Sequence, residues 1–87
     1  MGEGQLVLVA DDELTVREMI KLRLESYGYQ AVVANDGREA VALYTERIEK
    51  IRVVLTDMRM PRMDGTATIR ALRQINLKVK SFAQADR

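Results

Sequence analysis

The sequence predicts an α/β domain built on a doubly wound parallel sheet, and three observations predict it. Two apolar runs, Leu6–Ala10 and Val53–Leu55, do not alternate with polar residues, the pattern of strands covered on both faces. Between such runs lie segments whose apolar residues recur at helical spacing, and strands alternating with helices imply a parallel sheet with helices on both faces. Each of these runs leads to carboxylates, Asp11 and Asp12 after the first and Asp57 after the other. Crossovers in such a sheet are right-handed.

Gln5–Ala10 reads as the first strand. The acids Asp11-Asp12-Glu13 follow it, and a helix N-cap with first-turn charge accounts for one or two of them. Leu14–Tyr27 reads as a helix, because Val16, Ile20, Leu24 and Tyr27 fall on one face, widened by Met19 and Leu22. Arg17, Glu18, Lys21, Arg23 and Glu25 form its solvated side, and Gly28 stands where a left-handed residue ends it. Tyr29–Ala34 is a more mixed strand, predicted near a sheet edge. Asn35 or Asp36 caps a helix over Arg38–Glu49 with a stripe of Ala40, Val41, Tyr44 and Ile48. Arg52–Asp57 is the third strand, and a Met-rich loop with Pro61 leads to Asp64-Gly65. Asp64 caps a third helix, Thr66–Ile75, whose stripe is Ile69, Leu72 and Ile75. Val79–Ala83 is a weak fourth strand, interrupted by Lys80 and Ser81. The order is β-α-β-α-β-α-β, read as one domain over residues 1–87 with no internal repeat or linker.

Composition narrows the chemistry. The 87 residues contain no cysteine and no histidine, which excludes disulfides, Cys/His zinc sites and Ser-His or Cys-His nucleophiles within the chain. Metal binding then uses oxygen ligands and hard cations. A net charge of +1 and four scattered aromatics give no case for a nucleic-acid surface. The longest apolar run, Leu6–Ala10, is far short of the roughly 20 residues of a membrane span. The start Met1-Gly2-Glu3-Gly4 does not resemble a signal peptide. The expectation is a cytoplasmic protein with no nucleic-acid or membrane partner.

In a parallel sheet the strand ends emerge on one edge. If the first and third strands are neighbours, Asp11, Asp12 and Asp57 share a small volume, and like charges at close range need neutralising. A Mg²⁺ ion does this while leaving room for a phosphoryl oxygen. A carboxylate beside such a metal is able to act as a nucleophile toward phosphorus. Thr56 precedes Asp57, faces the other side of the strand and receives no catalytic role.

VLVADDE at Val7–Glu13, YGYQAVVANDGREAV at Tyr27–Val41 and VVLTDMRMPRMDG at Val53–Gly65 together resemble the receiver domain of two-component response regulators. The resemblance covers nearly the whole chain. It implies a three-layer, flavodoxin-like sheet, with Asp57 as the phosphoacceptor. Asp12 is implied as a direct Mg²⁺ ligand, Asp11 as a helper through water or an outer contact, and Arg59 as the lender of a backbone carbonyl. Pro61 and Gly65 shape the loop. The implied donor is a phosphohistidine on a histidine kinase or phosphotransfer protein, and the implied activity is at most phosphorylation and dephosphorylation of Asp57.

The family pattern has five strands and five helices, and this chain stops where the fourth strand ends, so the fifth strand and the last two helices are missing. The family's switch hydroxyl aligns with Ala85, and Ser81, four residues earlier, is no substitute. The family's later Lys has no counterpart, since Lys78 and Lys80 precede or enter the fourth strand. An exposed fourth strand and a thinly covered sheet face predict a homodimer. The alternative reading is a truncated receiver fragment serving as a non-signalling interaction module with a vestigial acidic pocket. A haloacid-dehalogenase-like phosphatase needs Asp-x-Asp at the nucleophile, and Arg59 stands at the second position instead.

Overall fold

The computed structural model describes residues 4–60 and 63–84, apart from the side chains of Ala83 and Gln84. The readings made for Met1–Glu3, Pro61 and Ala85 lie outside the described residues. Seven elements follow in the predicted order: β1 (Leu6–Ala10), α1 (Leu14–Ser26), β2 (Gln30–Ala34), α2 (Gly37–Glu46), β3 (Ile51–Asp57), α3 (Gly65–Ile75) and β4 (Lys80–Gln84). The sheet order is β2-β1-β3-β4 and every pairing is parallel. β1 and β3 are therefore neighbours at the centre, and β2 is an edge strand, as its mixed composition suggested.

β1 is buried along its whole length because helices lie on both sides of it. Side chains alternate between faces with a period of two. Leu6, Leu8 and Ala10 join Ala34, Val54, Ala40, Tyr44 and Leu72 in the core beneath α2 and α3. Val7 and Val9 turn to the other face, which α1 covers. The Tyr44 hydroxyl accepts a 2.9 Å hydrogen bond from Asn76 Nδ2, so a tyrosine is buried on this face without an orphaned oxygen.

Helix ends follow local chemistry. Asp36 Oδ1 accepts from Glu39 N at 2.8 Å, and Glu39 Oε1 reaches back to accept from Asn35 N at 2.7 Å. Asp64 Oδ1 accepts from Ala67 N at 2.8 Å and starts α3. Gly28 adopts φ +91°, the left-handed conformation that its place after α1 requires. Replacing Asp36 by Ala is expected to cost about 1 kcal/mol of stability, the usual value of a lost N-cap. A urea titration of the two proteins checks this, and identical midpoints would contradict it.

Some sequence expectations are corrected. The α1 stripe is not a buried one: Val16, Ile20 and Leu24 are half-buried, while Met19, Leu22 and Tyr27 are exposed. The reason is placement, since α1 packs mainly over β1 and β2, and a groove stays open between it and Leu55 of β3. Arg17 is not purely solvated, because its Nη1 donates to the Asp11 carbonyl at 2.8 Å. α2 ends at Glu46, three residues before the predicted end, and Ile48 lies beyond it. Lys50 N and Ile51 N both donate to the Arg47 carbonyl, and this tight turn redirects the chain into β3. β3 starts at Ile51, not Arg52. An irregularity in the β1–β3 register opposite Leu6 and Val7 turns Ile51 into the core and leaves Arg52 exposed. The fourth strand runs one residue later than predicted at both ends.

Candidate functional site

Two central strands set the site. β1 ends at Ala10, paired with Thr56, and the next residue on each strand is an aspartate. Asp11 is fully buried and Asp57 is 2% exposed, while Asp12 faces solvent. One carboxylate oxygen from each of Asp11, Asp12 and Asp57 lies within 4.8 Å of the other two. The predicted juxtaposition of these three acids is thus present.

Local backbone holds them in place. Asp11 N donates to the Ala34 carbonyl of β2 at 3.1 Å, which extends the ladder one residue past the strand. Asp11 Oδ1 accepts from Glu13 N at 2.9 Å, so this acid shapes the turn into α1 as well as facing the pocket. Asp57 Oδ1 accepts from Arg59 N at 3.3 Å. The Arg59 side chain is exposed, and its main-chain N–H is the group that meets Asp57. Thr56 is fully buried on the opposite side of β3, and its hydroxyl donates to the Asp57 carbonyl at 3.2 Å.

The donor set suits a hard divalent ion. It is all oxygen, it contains one exposed carboxylate at the mouth and two buried ones behind it, and it gathers negative charge in a shielded place. Mg²⁺ takes one or two carboxylates plus carbonyl and water oxygens, and these residues fit that pattern. Lys80 does not belong to the pocket: it begins β4 opposite Val53, four residues and about 13 Å short of the Asp57 end.

Two features of the site were not legible beforehand. Arg17 ties the first turn of α1 to the Asp11 carbonyl. Thr68, fully buried in α3, donates its hydroxyl to the Asp64 carbonyl at 2.7 Å and so anchors the loop that follows β3. Only the fold reveals what stands opposite this threonine.

An open parallel sheet that collects carboxylates outside the carboxyl ends of its two central strands defines a class of protein, the doubly wound domains that bind ligands at that edge. The chain belongs to the response regulator receiver domain family, whose sequence profile matches residues 7–83. It is 37% identical over 68 residues to "Probable transcriptional regulator ycf27" of Cyanophora paradoxa, covering 78% of this chain and 28% of that protein. A response regulator receiver domain protein from Clostridium thermocellum superposes with a TM-score of 0.87 at 33% identity, over 90% of this chain and 62% of that one. A chain of the CheX-CheY-BeF3-Mg²⁺ complex from Borrelia burgdorferi does so with a TM-score of 0.87 at 26% identity, over 90% of this chain and 59% of that one. The fold is accordingly the flavodoxin-like receiver fold with four strands and three helices described. The chain spans less than a third of the length of the Cyanophora paradoxa regulator. Among the described residues no helix is long and apolar enough to cross a membrane.

Proposed function

We propose that this receiver domain accepts a phosphoryl group on Asp57 with the help of Mg²⁺ held by Asp11, Asp12, Asp57 and the Arg59 carbonyl. The observation that carries the reading is the convergence of three carboxylates within 4.8 Å on neighbouring strand tips. An oxygen of Asp57 forms the new P–O bond as the P–N bond of a phosphohistidine breaks. The imidazole leaves with the electron pair and takes a proton from solvent. The donor is a histidine kinase or a phosphotransfer protein, consistent with a chain that has no histidine of its own. Asp57 is nearly buried and held by Arg59 N, so the nucleophile is oriented before the donor arrives. Asp12, the exposed member, stands at the mouth. When bound, the metal neutralises charge on the transferring group. A cytoplasmic location follows from a cytoplasmic phosphodonor. Incubation with a small phosphodonor tests the reading: an adduct that needs Mg²⁺ and disappears with a chelator is expected, and an adduct indifferent to Mg²⁺ would remove the metal from the account.

A second reading adds self-association to the first, and a specific observation favours it. Phe82 is 59% exposed and shares the α1 face of the sheet with half-buried Leu55. Leu55 lines an apolar groove with Val16, Met19, Ile20 and Leu24. A second copy packed face to face across this patch removes it from water through a two-fold interface. Light scattering behind a sizing column at micromolar concentration is expected to give a mass near twice the 9.9 kDa of one chain. Phe82→Asp is expected to lower it toward the monomer. A wild-type protein that elutes as a clean, stable monomer overturns the dimer.

A further inference from the structure

We infer that Gly37 is a positioning residue for the acidic pocket: the side-chain-free start of α2 is the seat on which the segment after β3 rests. The inference rests on the reading of that pocket as a Mg²⁺ and phosphoryl site. Gly37 is buried in the first turn of α2, directly after the Asp36 cap. Its backbone is not in the left-handed region, so conformation does not explain a glycine there. Helix propensity favours alanine over glycine at a helical position. Space gives the opposite answer.

A Cβ at Gly37 would collide with Thr68 Oγ1 and the Met63 carbonyl, and would lie 2.9 Å from Met63 Cβ. None of these is the free end of a flexible side chain. Thr68 is fully buried, and its hydroxyl is already committed to the Asp64 carbonyl at 2.7 Å. Relief therefore requires Met63, Asp64 and the start of α3 to move away from α2.

That motion reaches Asp57 through Gly65. Gly65 N donates to the Met58 carbonyl at 3.2 Å. The Gly65 backbone passes so close to β3 that a Cβ there would sit 2.5 Å from the Asp57 carbonyl and 2.7 Å from Met58 Cα. The segment Met63–Gly65 is thus pressed between α2 on one side and the tip of β3 on the other. Met58, which follows Asp57 directly, stands against it, and the next residue, Arg59, donates its N–H to Asp57 Oδ1. A glycine at position 37 keeps this stack in register. A side chain there displaces it and changes where Asp57 and Arg59 present their oxygens.

The experiment compares wild type, Gly37→Ala and Ala42→Gly. Ala42 is exposed in the middle of α2, so its replacement weakens the same helix without touching the Met63–Gly65 segment. Mg²⁺ affinity is measured by calorimetry, and the amide resonances of Met58 and Arg59 are recorded without metal. Gly37→Ala is expected to weaken Mg²⁺ binding about tenfold, the lower end of what outer support residues of metal sites contribute. It is also expected to shift both resonances, whereas Ala42→Gly changes neither readout. Unchanged affinity with unchanged resonances overturns the inference, and so does an equal effect of Ala42→Gly. If Gly37→Ala does not fold, Thr68→Val removes the anchoring hydroxyl at constant volume, with severalfold weaker Mg²⁺ binding expected and unchanged binding decisive against the inference. If the wild type binds no Mg²⁺, the metal reading fails by itself, and the metal-free resonances alone decide the role of Gly37.

Discussion

Leu8→Ala is expected to remove most of the stability of this chain. Leu8 is fully buried in the central strand and packs in the core beneath α2 and α3. Deleting such a side chain costs the lost transfer free energy plus the cavity left behind, about 2–5 kcal/mol. The whole domain has little to lose. At typical values per residue, 87 residues give roughly 4–13 kcal/mol in total. The lower end applies here, because α1 buries no residue fully and Leu22, Leu77 and Phe82 remain exposed. With a urea m-value of about 1 kcal/mol/M, the midpoint is expected to fall by about 2 M or more. Leu22→Ala, at a position 67% exposed, serves as the comparison and is expected to stay within about 0.5 kcal/mol of wild type. A Leu8→Ala midpoint close to that of wild type would contradict the packing described.

Asp57→Asn is expected to abolish phosphoryl acceptance while leaving the fold intact. The amide has the same shape and its oxygen is able to accept the hydrogen bond from Arg59 N, which now goes to Asp57 Oδ1. What disappears is the nucleophile and one of three clustered charges. The stability consequence has two signs. Without Mg²⁺ the substitution relieves repulsion toward Asp11 and Asp12, so the variant is expected to be as stable as wild type or more so. With Mg²⁺ in excess the wild type gains stability from the ion it binds, and the variant gains less. The order of the two melting temperatures is therefore expected to approach or reverse on adding Mg²⁺. An Asp57→Asn protein that gains as much from Mg²⁺ as wild type would place the ion elsewhere.

Much of this molecule is readable before folding. Continuous apolar runs marked β1 and β3 as strands buried on both faces, and the mixed Tyr29–Ala34 segment marked an edge. Asn35 or Asp36, Asp64 and Gly28 announced helix ends by local hydrogen bonding and backbone conformation, which need no tertiary context, and Asp36 proved to be the cap. The meeting of Asp11, Asp12 and Asp57 was expected on the condition that the first and third strands are neighbours, and the sheet order β2-β1-β3-β4 meets that condition. Most of what escaped depends on contacts distant in sequence. The exposure of Met19 and Leu22 reflects which strands α1 covers, a question that helical spacing leaves open. Ile48 fits the α2 stripe by count, but the turn at Arg47 ends the helix first. The crowding at Gly37 comes from Met63 and Thr68, some thirty residues away, and a glycine after a capping aspartate reads locally as nothing more than a turn.

The most direct measurement is the intact mass of wild type and Asp57→Asn after incubation with a small phosphodonor and Mg²⁺, followed by localisation of any adduct in the peptides. The account predicts one phosphoryl group on wild type, carried by Asp57, and none on the variant. A wild type that stays unmodified, or an adduct that persists in Asp57→Asn, would contradict it.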